Sequence, residues 1–139
     1  MSSQDIALMA HLMRRAGFGA TRSELEASVA KGYDATVENL LHLGDPGNMP
    51  DDIIRRLNEG FEEGPGGAAS YWTYRMITSK NPLEEKLTLF WHGLFATDYS
   101  KGVQAKTQLN QIETFRRHAL ADFPTILLEL SRDPAMLFW

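Results

Sequence analysis

No cysteine occurs in the 139 residues, which excludes disulfides, thiolate metal ligands and thiol nucleophiles. A cysteine-free chain suits reducing and oxidising compartments equally, so the redox setting stays open. Surplus positive charge is missing as well: 14 Lys and Arg stand against 18 Asp and Glu, a formal net charge of -4. Without a basic stripe there is no electrostatic footprint for nucleic acid. Long apolar runs are also absent. The stretch 87–96 is interrupted by Thr88, His92 and Gly93 and falls far short of the ~20 residues that cross a bilayer, so no transmembrane helix is predicted. Arg14-Arg15 superficially resembles a twin-arginine export signal, but Thr21, Arg22, Ser23 and Glu24 follow where an apolar segment is required. No signal peptide is read, and localisation stays open.

Catalytic signatures are equally scarce. Ser70, Ser79, Ser100 and Ser131 lie in no Gly-x-Ser-x-Gly elbow. The glycines at Gly17, Gly19 and 64–67 lack the Lys-Ser/Thr pair that a phosphate-binding loop needs. They read as turn glycines.

What is present is helical periodicity almost throughout. Ile6, Met9, Ala10 and Met13 recur at helix spacing from Gln4 to Ala16, with Arg14 and Arg15 in the last turn and Gly17 as a C-cap. Thr21-Arg22-Ser23-Glu24 is a capping box, and Gly32 ends the short helix it starts. Asp34 opens a third helix with Val37, Leu40 and Leu41 as its apolar face, and Asp51 or Asp52 a fourth. The glycine-dense stretch 60–67 reads as a flexible loop. An aromatic-rich helix over 69–79 carries Tyr71, Trp72, Tyr74, Met76 and Ile77, which should be largely covered.

Asn81-Pro82 is the strongest start, with an N-cap side chain, proline at the first position and Glu84 at the third. Leu83, Leu87, Phe90 and Leu94 follow on one side, with Leu89, Trp91 and Phe95 on others, which predicts a helix central to the core. Val103 to Leu120 reads as a long helix with Leu109, Ile112, Phe115 and Ala119 inward and glutamines outward. Asp122 caps the next, with Ile126, Leu127 and Leu130 as its apolar face, and Asp133-Pro134 starts a last one. The expected fold is all-α, an irregular bundle of roughly eight helices in a single domain over residues 1–139. The apolar end at Met136, Leu137, Phe138 and Trp139 wants a partner surface, which predicts an interaction site there and a chain that is the N-terminal portion of something longer.

Four ordered motifs carry a family resemblance: residues 10–19 (Ala-His-Leu-Met-Arg-Arg-Ala-Gly-Phe-Gly), 82–93 (Pro-Leu-Glu-Glu-Lys-Leu-Thr-Leu-Phe-Trp-His-Gly), 116–120 (Arg-Arg-His-Ala-Leu) and 133–137 (Asp-Pro-Ala-Met-Leu). In these the chain resembles the opening of the bacterial family catalogued as domain of unknown function 1800. The resemblance implies a longer, often exported parent protein and no particular reaction. Similar proteins often carry a second histidine where this chain has Leu94.

His92 is the sharpest chemical candidate. It lies opposite the leucine stripe, one turn beyond Thr88 and two beyond Glu85, so carboxylate, hydroxyl and imidazole line one helical edge. A metal site would need His118, Asp122 or Glu113 to converge on it from another helix; the ordinary alternative is a packing histidine. Tyr71 and Trp72 could stack a glycan or small aromatic, or simply fill the core. The leading functional expectation is a non-catalytic packing or interaction module that needs no cofactor, its partners being the rest of its own chain or other protein subunits. The rivals are a fragment of a hydrolase or metal-dependent enzyme completed beyond residue 139, and ligand binding at Tyr71 and Trp72.

Overall fold

The computed structural model describes residues 2–47, 49–53, 55–56, 64–101 and 104–139. Among them the fold is all-α: α1 (Ser3–Arg15), α2 (Arg22–Lys31), α3 (Tyr33–Leu41), α4 (Pro65–Thr78), α5 (Pro82–Leu94), a 3-10 turn (Tyr99–Lys101), α6 (Ala105–Arg117), α7 (Phe123–Leu130) and α8 (Pro134–Phe138). Residues 51–53 and 55–56 are helical too, as Asp51 and Asp52 foretell. None of the described helices is long and apolar enough to cross a membrane.

Local chemistry explains most boundaries. Ser2 and Thr21 each close a reciprocal capping box, with Asp5 and Glu24 respectively. Asp122 and Asp133 cap α7 and α8, each with proline in the first turn. Several boundaries differ from expectation. Helix α3 starts at Tyr33 rather than Asp34, because Gly32 ends α2 and begins α3 in one residue at φ +99°. Helix α4 begins at Pro65, so Gly66 and Gly67 are helical and not loop; proline preset to helical φ at the first position allows it. Residues 60–63 of the expected loop lie outside the described residues, as does Val103. Helix α6 is shorter than expected, Ala105–Arg117, with His118 as its C-cap.

Helix α6 is the hub: α4, α5, α7 and α8 all pack on it. The apolar cluster at its C-terminal half is Phe115, Ile126 and Leu130, ringed by Trp91, Phe95, Ala121 and Met136. Helices α1, α2 and α3 pack in sequence, and α3 meets α5. Two devices join this N-terminal layer to the rest. Gly17 is buried where any side chain would press on Pro82, a Cβ lying 3.0 Å from the proline Cβ. Contrary to expectation, Asn81 does not cap α5 with its side chain; its amide clasps Gly44 instead, Nδ2 donating to the Gly44 carbonyl at 2.8 Å and Oδ1 accepting the Gly44 N–H at 3.2 Å.

The orientation of α5 overturns its expected packing. Glu85 and Thr88 are completely buried, whereas Phe90 and Leu94 are each 56% exposed. The polar edge faces inward and half of the leucine stripe faces out. Glutamine is inverted likewise in α6: Gln111 is completely buried, with its amide in a relay. Thr97 Oγ1 donates to Gln111 Oε1 at 2.8 Å, Gln111 Nε2 donates to Asp133 Oδ1 at 2.9 Å, and that oxygen accepts the Met136 N–H at 3.0 Å. The aromatic helix is only partly covered, since Ile77 is 77% exposed.

This relay pins α8 to α6. Asp133→Ala removes the α8 cap and strands the Gln111 amide, so we expect a loss of roughly 2–4 kcal/mol, the sum of a lost cap and an unmet buried donor. Urea denaturation followed by far-UV circular dichroism measures it, and a change under 1 kcal/mol, at the level of a plain surface substitution, would refute the relay.

Candidate functional site

The face of α5 that carries Glu85, Thr88 and His92 is where ionisable groups gather. Glu85 accepts two hydrogen bonds from Arg116 of α6, Nε to Oε1 at 2.8 Å and Nη2 to Oε2 at 3.1 Å, and a third from Arg75 Nε of α4 at 3.2 Å. Arg116 Nη1 stands 2.5 Å from Glu113 Oε1 as an ion-pair contact outside hydrogen-bond geometry. The Tyr71 hydroxyl donates to the same Glu113 oxygen at 3.2 Å. Two carboxylates and two guanidiniums thus alternate across three helices. Burial works against the charge on Arg116, but the hydrogen bonds it donates to Glu85 and its ionic contact with Glu113 outweigh that and raise its pKa above the ordinary arginine range. Burial, with the Glu113 charge second, raises Tyr71. Chemically, this arrangement holds charge in place; each carboxylate is spent on a fixed cation.

His92 sits one step further along α5. Its ring meets the Trp72 indole edge-on at 5.1 Å between centroids and Phe115 at 6.5 Å. Both its Nδ1 and the Trp72 Nε1 are buried without a hydrogen-bond partner among the described residues. Burial lowers the His92 pKa, so the neutral imidazole is the form this pocket accepts. Glu84 is raised by burial and then by the charge of Glu85.

The other expected ligands do not join His92. His118 closes α6, its carbonyl accepting the Ala121 N–H at 3.0 Å. Asp122 is exposed and caps α7 through the Thr125 N–H at 2.9 Å, and the side-chain and backbone hydrogen bonds of Thr125 lower its pKa. Glu113 is taken by Arg116 and Tyr71. Among the described residues no group of three His, Cys, Asp or Glu side chains is placed to hold a metal ion. Trp72 is buried while Tyr71 is half-buried, so an incoming ring would find only the tyrosine. Of the expected terminal interaction site, Met136 turns inward onto the apolar cluster, and Leu137, Phe138 and Trp139 are exposed.

A second feature gathers on the surface. Phe90, Trp91, Phe95 and Phe123 form a connected aromatic row, with Phe90–Trp91 at 5.0 Å, Trp91–Phe123 at 6.1 Å and Phe95–Phe123 at 6.2 Å. Trp91 is anchored by its Nε1–H to the Ala119 carbonyl at 3.2 Å. The outer members, Phe90 and Phe123, are exposed together with Leu94 and Leu127 on the same two helices. The buried charge network had one readable signal, the Glu113 to Arg116 spacing of three; the row had none, because it depends on which way α5 turns.

Residues 11–139 match the family model described as protein of unknown function (DUF1800), and the chain belongs to that family. No curated protein and no solved structure matches the chain.

Two outcomes test this geometry. Glu85→Ala leaves Arg116 buried with only the partly exposed Glu113 beside it, and we expect a loss of about 3 kcal/mol. The double substitution Glu85→Leu/Arg116→Met should recover most of it; a denaturation series in which the double variant is as weak as Glu85→Ala alone would sink the charge-pair account. For His92, the unfolded chain takes up a proton near the ordinary value of 6.5, while the folded chain does so only at lower pH. The unfolded state therefore binds more protons between those values, and stability falls as the pH drops below about 6.5. Thermal unfolding across that range checks it: His92→Phe should lose that slope, and an unchanged slope would remove the buried-imidazole reading.

Proposed function

We propose that the chain is a non-catalytic packing module, whose work is to lay the α5–α7 face and the Leu137–Trp139 tip against another protein surface. One observation carries it. Among the described residues, 17 large hydrophobic side chains are exposed. The large ones that are buried are Met9, Leu25, Trp72, Ile112, Phe115, Ile126 and Leu130. Isolated exposed leucines are ordinary, but a contiguous aromatic and leucine face marks an association surface. Aromatic residues are also the ones that dominate interface energetics. The relay through Gln111 and Asp133 supports the same reading for the tip, because it orders α8 and so lowers the entropy lost when Phe138 and Trp139 dock. The partner is protein, either further residues of a longer chain or a separate subunit.

The purified chain should bind an environment-sensitive apolar dye and self-associate reversibly as concentration rises, by fluorescence and light scattering. Phe90→Ser/Leu94→Ser should suppress both while leaving the unfolding free energy within about 1 kcal/mol, since neither side chain is buried. A strictly monomeric chain that ignores the dye would overturn the module reading.

A further inference from the structure

We propose that the exposed face of α5 pairs with the same face of a second copy of the chain, the two helices crossing at Gly93. The inference rests on the packing-module reading and names its partner. After proline, glycine is the residue least suited to a helix interior, so a glycine there calls for a cause. Gly17, between helices, has one in the Pro82 side chain beside it, and Gly32 has one in its positive φ. Gly93 has neither. It lies within α5 without left-handed backbone, and a Cβ built on it would meet no atom of the described residues within 4 Å beyond its own turn of helix. Nothing inside the described fold uses the missing side chain, and the space it leaves opens outward.

That space is a notch in an apolar surface. Leu89, Phe90, Gly93 and Leu94 share one side of α5 at helical spacing, and all four are exposed. Phe123 of α7 borders them, its ring 6.1 Å from Trp91. The side chains at a helix contact set how closely the two axes approach, so a glycine at the crossing point admits the backbone of a second helix while Phe90 and Leu94 pack against it.

Two features make a second copy the fitting occupant. A two-fold contact needs a patch that carries both halves of the match; this one has knobs, Phe90 and Leu94, and a hole, Gly93, within about one turn of helix. It must also avoid setting like charges against each other. The chain carries a formal net charge of -4, so two copies repel over much of their surface, but residues 87–96 contain no Lys, Arg, Asp or Glu. The one imidazole among them, His92, is turned against Trp72 and Phe115. The neutral patch is where identical chains can meet without that repulsion.

The absence of cysteine allows a direct test. Gly93→Cys gives the chain a single thiol, and at a two-fold crossing the two sulfurs come within bonding reach, since a disulfide needs Cα atoms about 4.4–6.8 Å apart. Mild oxidation should yield a covalent dimer roughly tenfold faster than for Ile77→Cys, an equally exposed position on α4, because the crossing raises the local thiol concentration. Gly93→Leu fills the notch and should weaken self-association roughly tenfold, read by sedimentation equilibrium. Gly93→Ala guards against misfolding: it should raise the thermal midpoint and still weaken association. Equal crosslinking at the two positions, or a Kd unchanged by Gly93→Leu, would overturn the crossing and leave the packing-module reading standing. A strictly monomeric chain that still binds the apolar dye would overturn the second copy alone, and one that ignores the dye would overturn both.

Discussion

The pairing of Glu85 with Arg116 is the constraint on which the other contacts depend. A carboxylate with no exposed surface cannot stay ionised alone, so wherever α5 goes, an arginine must follow with bidentate geometry. That arginine is on α6, and a second from α4 completes the set. Three helices are thereby locked in register by one side chain. An ion pair of this kind adds little net stability over a well-packed apolar substitute, but it tolerates no partial rearrangement, since any slip strands a charge. Its contribution is to the uniqueness of the α4–α5–α6 arrangement more than to its depth.

The inversion of α5 follows from the same pair. Once Glu85 is inside, Thr88 and His92 come with it at three and seven residues on, and the opposite side must face away. That side is Phe90 and Leu94. The inner face is then polar but finished, with Thr88 Oγ1 bonded to the Glu84 carbonyl at 2.7 Å and His92 shielded by rings. The outer face is apolar and uncovered. On the packing-module reading, a helix that hides its charges and exposes Leu89, Phe90 and Leu94 offers that face to a neighbour, and this is the physical link between the network and the proposal.

Legibility in the sequence divides along the same line. Much that short-range chemistry sets could be read: the Thr21–Glu24 capping box, the Asp122 and Asp133 starts, the Gly32 break and the all-α class all depend on residues within a few positions of one another, although the equally local box of Ser2 and Asp5 was missed. The edge formed by Glu85, Thr88 and His92 was legible as an edge, yet not its burial, because periodicity identifies faces without saying which face meets the core. The usual rule assigns the apolar face inward, and it fails for α5 and for Gln111 because the partners that make polar burial tolerable lie far away in sequence. Arg116 is 31 residues from Glu85, and Asp133 is 22 from Gln111. Arg116 is easily taken for ordinary charge at a helix end, and Asn81 for an ordinary cap, until Glu85 and Gly44 are seen beside them.

The apolar cluster of Phe115, Ile126 and Leu130 is small, and the buried ionic groups add specificity more than free energy. A surface that binds only the folded state adds RT ln(1 + [L]/Kd), about 2.7 kcal/mol when the partner is at 100 times its Kd. On the packing-module reading, covering Phe90, Leu94, Phe123 and Leu127 supplies that increment while removing the apolar surface that favours aggregation. Partner binding and folding stability are then coupled through α5, because the residues that dock and the residues that hold the buried charges alternate along one helix.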